Sequence, residues 1–291
     1  AGFEIAIWPD TLDHDNAALL AASRLGVHDG LAAFVADLAW IGNGKGVRQL
    51  QTNLARVTGL QFDETRDLTR RGIRAYAEYW RILFQLERFT AEEREARVIL
   101  HGFERVDAQV AAGHGVVIAA THSGNWDLAG TVVAGRYNGV TTVAERLKPE
   151  ALFDAFAALR TKYGLEILPH RGGDRPALDV LRERIEQRRI VALVSDRDLS
   201  RRGIDVTFFE ARTRMAAGPA ALTVSTGAAL MPAAVWTEGD LVHVLIHEPV
   251  DFDRSAPDAI AIATQRLADV FARDIAAHPT DWHMLQRVWD L

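Results

Sequence analysis

The chain of 291 residues contains no cysteine. That absence excludes disulfides, thiolate metal sites and an acyl intermediate carried on a cysteine. No G-x-S-x-G segment occurs, so the strained elbow that presents a nucleophilic serine in α/β hydrolases is missing. Nor is there an H-E-x-x-H run or another compact set of His and Asp ligands, the pattern a metallohydrolase needs. No stretch is long and apolar enough to span a bilayer. The nearest, Ala216 to Trp236, is interrupted by Gly218, Pro219, Ser225, Thr226, Gly227 and Pro232. The first residues carry no signal-peptide pattern, and the chain reads as cytoplasmic or peripheral on a membrane. Basic charge is not in excess. A formal net charge of −6 argues against nucleic acid as a main partner and leaves any attraction to an anionic membrane to a local basic patch.

What is present divides into two textures. Asp10 to Asp37, Lys45 to Val57, Asp63 to Phe89 and Ala91 to Ala112 carry apolar residues at helical spacing, separated by Gly- and Asn-rich breaks. In the third, Leu68, Ala75, Tyr76, Tyr79, Trp80 and Leu83 share a face, and Arg66, Arg70, Arg71, Arg74 and Arg81 crowd the rest. Such a helix either packs on the core with a solvated arginine face or lies on a membrane surface. The apolar residues Phe3, Ile5, Ile7 and Trp8 are too few to separate a terminal strand from a membrane contact.

From Val116 onward short β-rich runs alternate with helical patterns. The runs are Val116–Thr121, Val140–Ala144, Leu165–Pro169, Ile190–Ser195, Leu230–Trp236 and Leu241–His247. The helical segments are Trp126–Arg136, Pro149–Tyr163, Arg175–Gln187, Ala216–Ser225 and Ala259–Ala277. This alternation predicts an α/β fold, a mostly parallel central sheet flanked by helices, with a helical N-terminal extension. One domain over 1–291 is expected, helical over 1–112 with its α/β core over 113–291. The last two runs, joined through Glu238-Gly239-Asp240, predict an antiparallel hairpin.

The chemistry concentrates in Thr121-His122-Ser123-Gly124-Asn125-Trp126-Asp127, directly after an apolar strand. His122 and Asp127, five apart, cannot share a helix face, so a turn must separate them. Ser123-Gly124-Asn125 supplies it, and Asn125 is suited to cap a helix beginning near Trp126. His122 then stands at the carboxyl end of a strand, where open α/β sheets bind their ligands. A neutral histidine there can take a proton from an alcohol, and a carboxylate on its other nitrogen would fix its tautomer. Asp196, closing the strand Ile190–Ser195, is a second carboxylate that a neighbouring parallel strand can bring to His122, or else a turn residue paired with Arg197. Trp126, Leu128 and Val132 are candidates for an apolar groove or simply for core.

His122-Ser123-Gly124-Asn125-Trp126-Asp127 resembles the H-x-x-x-x-D signature of glycerolipid-type acyltransferases, in the form of the lipid A late acyltransferase superfamily. Further segments agree in order: Glu145-Arg146-Leu147-Lys148-Pro149, Arg160 with Gly164, Ser195-Asp196-Arg197-Asp198, Val206-Thr207-Phe208-Phe209, Thr213-Arg214-Met215, and the terminal Asp281-Trp282-His283-Met284-Leu285-Gln286. Within the superfamily the chain is most similar to the actinobacterial phosphatidylinositol mannoside acyltransferases. The resemblance implies acyl transfer from acyl-CoA, a donor substrate rather than a cofactor, to a mannose hydroxyl of a membrane glycolipid. It implies no metal and a protein peripheral on the cytoplasmic face of an anionic membrane. His122 would be the base, with Asp127 or Asp196 supporting it; these relatives carry a glutamate where Asp196 stands here. Glu145, Arg146 and Arg160 match positions that shape the acceptor site, and Arg197, Arg212 and Arg214 are further candidates for an anionic or sugar group. Glu210 stands where the family pattern often has glycine. Three other readings remain: the same chemistry on a different glycolipid or lysolipid acceptor with acyl-CoA or an acyl carrier protein as donor, a metallohydrolase using His114, His122 and Asp127 with other histidines, and a non-catalytic lipid-binding relative.

Overall fold

A computed structural model describes residues 29–145, 150–170, 172–198 and 203–289. Three helices come first, α1 (Asp29–Gly42), α2 (Lys45–Thr58) and α3 (Arg66–Gln85). A short helix α4 (Ala91–Glu95), strand β1 (Val98–His101) and α5 (Phe103–Ala111) follow. The chain then alternates through β2 (Val116–Ala120), α6 (Trp126–Arg136), β3 (Val140–Ala144), α7 (Glu150–Lys162), β4 (Leu165–Pro169), α8 (Ala177–Glu186) and β5 (Ile190–Val194). It continues with the hairpin β6 (Ile204–Phe208) and β7 (Ala211–Met215), then α9 (Gly218–Thr226), β8 (Ala229–Glu238), β9 (Leu241–Ile246) and α10 (Ala259–Ala277).

Seven strands form one sheet in the order β1-β9-β8-β2-β5-β3-β4. Five of them run parallel, from β8 to β4, while β9 turns back antiparallel to β8 and carries β1 parallel beside it. The α/β fold, the mostly parallel sheet and the helical N-terminal region are as the alternation predicts, and so is the hairpin at Glu238-Gly239-Asp240. Helices cover both faces, which is why the central strands are continuously apolar. On β2, Val116 and Ile118 join the core beneath α3 and α6, whereas Val117 and Ala119 join the one beneath α8, α9 and α10.

Two local expectations fail. The helix expected over 91–112 is two helices with β1 between them. β1 is held by hydrogen bonds to β9, with Val98 opposite Val242, and no local pattern announces so distant a partner. Gly102 makes the break: at φ 72° an added Cβ would fall 2.3 Å from the Ile246 carbonyl oxygen. Second, β6 and β7 were not anticipated as strands. Their two-residue turn, Phe209-Glu210, has φ of 49° and 59°, a conformation hairpin turns normally give to glycine or asparagine. Glu210 thus occupies the place of the family's glycine without abolishing the turn. Of the two arrangements open to α3, it adopts packing on the core: Tyr76, Tyr79 and Trp80 are buried, while Arg66, Arg71 and Arg74 stay exposed. Phe3, Ile5, Ile7, Trp8 and the beginning of the first expected helix lie outside the described residues.

Candidate active site

The loop that carries His122 is built from its own sequence. Gly124 has φ 61°, and a Cβ there would sit 2.8 Å from the Val235 backbone, so this position needs glycine for conformation and space alike. Asn125 then caps α6, its Oδ1 accepting the Leu128 N–H at 3.0 Å. The strand–turn–helix expected from 116–136 is present in that order.

The partner of His122 is decided by strand register. Ala120 lies opposite Val194 on the adjacent parallel strand β5, and Ser195 N–H donates to the Ala120 carbonyl at 2.9 Å. His122 and Asp196 each stand two residues beyond that pair and meet. His122 Nδ1 is 2.5 Å from Asp196 Oδ1, and the His122 amide donates to Asp196 Oδ2 at 3.1 Å. The Trp282 indole N–H also donates to Oδ2, at 2.8 Å. Asp196 has no exposed surface. Burial pushes its pKa up, but the facing His122 and the three hydrogen bonds outweigh that and hold the carboxyl below its ordinary value. A carboxylate on Nδ1 makes that nitrogen the protonated one and leaves Nε2 as the lone-pair nitrogen.

Asp127 takes no part in this pair. Its carboxylate is gripped by Arg160, Nε to Oδ1 at 2.6 Å and the second nitrogen to Oδ2 at 2.9 Å, and Oδ2 accepts the Tyr79 hydroxyl at 2.6 Å. Burial raises the Asp127 pKa, yet the Arg160 charge and these hydrogen bonds bring it below the usual carboxylate value. Burial and the neighbouring carboxylate push the Tyr79 phenol well up, so it stays a donor. Asp127 therefore ties α6 to α3 and α7, and the alternative of Asp127 as orienting carboxylate is not the arrangement adopted. Arg160, expected at the acceptor site, lines the cavity described below but is committed to Asp127. A metal set built on His114, His122 and Asp127 is not assembled either. His114 and His122 flank β2 at opposite ends, on the order of 20 Å apart at about 3.3 Å per residue.

Glu145 stands at the rim, half exposed, 3.7 Å from a terminal nitrogen of the mostly buried Arg197. Burial lowers the Arg197 pKa against the pull of Asp196 and Glu145. Arg212 and Arg214 sit on the exposed side of the β6–β7 hairpin in ion pairs with Asp205, and neither lines the cavity. Arg146 lies outside the described residues.

His122 opens onto an apolar cavity of about 280 Å³ between the sheet and α6. Lining side chains come from β9 (Val244, Ile246), β8 (Ala233, Val235), β2 (Ile118, Ala120), β5 (Ala192, Val194), β3 (Val140, Thr142) and β4 (Leu165). Five strand spacings separate β9 from β4, so the cavity crosses roughly 24 Å of sheet at about 4.8 Å each. Trp126, Ala129, Gly130 and Val133 roof it at helical spacing. Leu128 and Val132, on other faces of α6, do not.

Sequence reasoning missed the role of the C-terminal segment. Trp282 pairs with Ser123 in an isolated bridge, His283 N–H donates to the His122 carbonyl at 2.8 Å, and Gly124 N–H donates to the Asp281 carbonyl at 2.9 Å. Asn53 of α2 fastens the segment by donating to the Met284 and Gln286 carbonyls at 2.7 and 2.8 Å. The available signal was Trp282 itself, in the terminal Asp281-Trp282-His283 segment: a buried indole needs an acceptor.

The chain is 44% identical over 260 residues to the phosphatidylinositol mannoside acyltransferase of Mycobacterium tuberculosis, covering 88% of this chain and 81% of that protein. It is 43% identical over 257 residues to the phosphatidylinositol mannoside acyltransferase of Mycolicibacterium smegmatis, covering 88% and 84%. Residues 17–290 match the family model for bacterial lipid A biosynthesis acyltransferases. The chain belongs to the bacterial lipid A biosynthesis acyltransferase family.

Proposed function

We propose that the protein transfers a long-chain, palmitoyl-like group from acyl-CoA to a mannose hydroxyl of phosphatidylinositol mannoside, with His122 as general base and no acyl-enzyme. The observation that carries this reading is the His122–Asp196 pair at the mouth of an apolar cavity. His122 Nε2 removes the proton from the sugar hydroxyl, whose oxygen attacks the thioester carbonyl. The tetrahedral oxyanion collapses, the C–S bond breaks, and the CoA thiolate recovers the proton from His122. Asp196 stabilises the imidazolium between those steps. The acyl chain lies in the cavity: an extended sixteen-carbon chain spans roughly 19 Å at about 1.3 Å per bond, within the width of sheet crossed. Glu145 and Arg197 supply polar contacts to the acceptor at the rim, and for Arg146, outside the described residues, the same role rests on the resemblance alone. The relatives' names support the acceptor class.

Both substrates are lipids, so the protein works at an anionic membrane surface, peripheral on its cytoplasmic face. No helix among the described residues is long and apolar enough to cross a membrane.

The test is transfer of labelled palmitate from palmitoyl-CoA to purified phosphatidylinositol mannosides by wild type and His122→Ala. Transfer that collapses in a still-folded variant supports donor, acceptor and base together. His122-dependent release of CoA without acylated product keeps the chemistry and rejects the acceptor. No CoA release from intact protein rejects acyl-CoA as donor.

A further inference from the structure

Helix α1 is built the wrong way round for a helix that serves only the core. Its buried positions are small, Ala32 and Ala36, whereas Leu31, Phe34, Leu38 and Ile41 are 45, 57, 52 and 64% exposed. Steps of three, four and three residues set these four side chains in one stripe, about 15 Å long at roughly 1.5 Å per residue. No charge of α1 interrupts it. The mid-helix acid, Asp37, is drawn against α3, where Arg70 and Arg74 hold it at 2.6 and 2.5 Å.

We infer that this stripe is the surface by which the protein lies on a lipid bilayer, with Leu31, Phe34, Leu38 and Ile41 in the acyl region. The inference rests on the reading that the substrates are membrane lipids. Three observations favour a bilayer over another protein. The guanidiniums of Arg66 and Arg70 stand 4.6 and 5.4 Å over the Trp40 ring at the end of the stripe, an arrangement of cation and aromatic suited to the headgroup layer. Residues 29–85 carry eight Arg and Lys against six Asp and Glu, in a chain whose net charge is −6, so this segment is locally basic and an anionic surface does not repel it. The stripe is also next to the chemistry. Ala32 and Ala33, on the inner side of α1, face a crevice of about 330 Å³ that Gly124, Asn125 and His283 also line. A bilayer under α1 thus lies beside the loop that holds His122. Because Asp37 offsets part of the arginine charge, attachment is mainly apolar, unlike the arginine-led attachment that α3 suggests in the sequence.

The cysteine-free chain makes a direct test practicable. The Phe34→Cys protein, labelled with a polarity-sensitive fluorophore, is mixed with vesicles of phosphatidylcholine and phosphatidylinositol, some with brominated acyl chains. Solvent-like emission without vesicles, then a blue shift and bromine quenching with them, supports the inference. Apolar-type emission before any lipid is added overturns it: if independent of protein concentration, residues 1–28 cover the stripe, and if concentration-dependent, a second copy does. No change on adding vesicles also overturns it. In flotation, Phe34→Asp with Ile41→Asp should bind vesicles at least about tenfold more weakly, while Val110→Asp, at another exposed apolar position, binds as wild type. Raising salt from about 0.1 to 0.5 M should weaken wild-type binding less than about threefold; a steep loss would show that charge, not the stripe, holds the protein. His122-dependent CoA release is measured in parallel, so failure of the chemistry is separable from failure of the docking surface.

Discussion

Trp282→Phe should disable the enzyme without touching a reacting atom. The substitution removes the indole N–H that donates to Asp196 Oδ2 at 2.8 Å and leaves the His122 ring and amide as that carboxylate's remaining donors. A hydrogen bond to a charged group is worth about 1.5–3 kcal/mol, so if the loss is felt as misorientation of the pair, kcat falls about 10- to 100-fold. KM for acyl-CoA should change little, because Trp282 does not line the cavity. The Asp196 carboxylate, deprived of that donor, moves back up toward its ordinary pKa. Trp282 is fully buried and packs edge-on to Phe208 and Trp289, so the smaller ring also costs roughly 1–3 kcal/mol of stability. Circular dichroism and denaturant titration separate that cost from the catalytic one. Asp196→Asn should lose more, since an amide no longer selects the Nδ1–H tautomer; the comparable change in a serine-protease triad costs about 10⁴ in kcat. The double variant should be no slower than Asp196→Asn alone. A folded Trp282→Phe enzyme with wild-type kcat would refute the reasoning.

Asp127→Asn should cost stability rather than the base: breaking the buried pair with Arg160 costs about 3–5 kcal/mol by denaturant titration, and the fraction that stays folded keeps its turnover. Gly130→Leu should shift donor preference to shorter acyl-CoAs, while Gly130→Ala should not. An added Cβ there meets Leu165 at 3.5 Å, an ordinary contact, and the larger side chain must enter the cavity; a donor panel measures it. His283 and Asp281 give opposed pH dependences. Burial brings the His283 pKa down to about 3, so stability is lost as pH falls from about 6.5 toward 3, at up to about 1.4 kcal/mol per unit. Burial raises Asp281 to about 6, so its protonated form is favoured in the fold and stability is lost as pH rises through 6. Asp281→Asn, which keeps an acceptor for the Thr237 amide, should therefore gain stability at pH 8 and little at pH 4.5 in thermal melts.

The sequence by itself determined what is local. The apolar run 116–120, a glycine forced to positive φ and an asparagine cap make a strand, a turn and a helix wherever that segment is placed, so His122 had to emerge at a strand end. The last long helix, Ala259–Ala277, and the parallel alternation were legible for the same reason: each depends on periodicity within about twenty residues. The resemblance to lipid acyltransferases was legible too, because its motifs are short and ordered. Only the tertiary structure decided which carboxylate serves His122. Asp127 is five residues away and Asp196 seventy-four, yet the register of β2 against β5 delivers the distant one, and Arg160 takes the near one. The edge strand β1, the apolar cavity and the donor from Trp282 belong to the same class. Each is made by groups far apart in the chain whose hydrogen bonds and shared burial exist only once the sheet has closed over them, and spacing along the chain carries no trace of that.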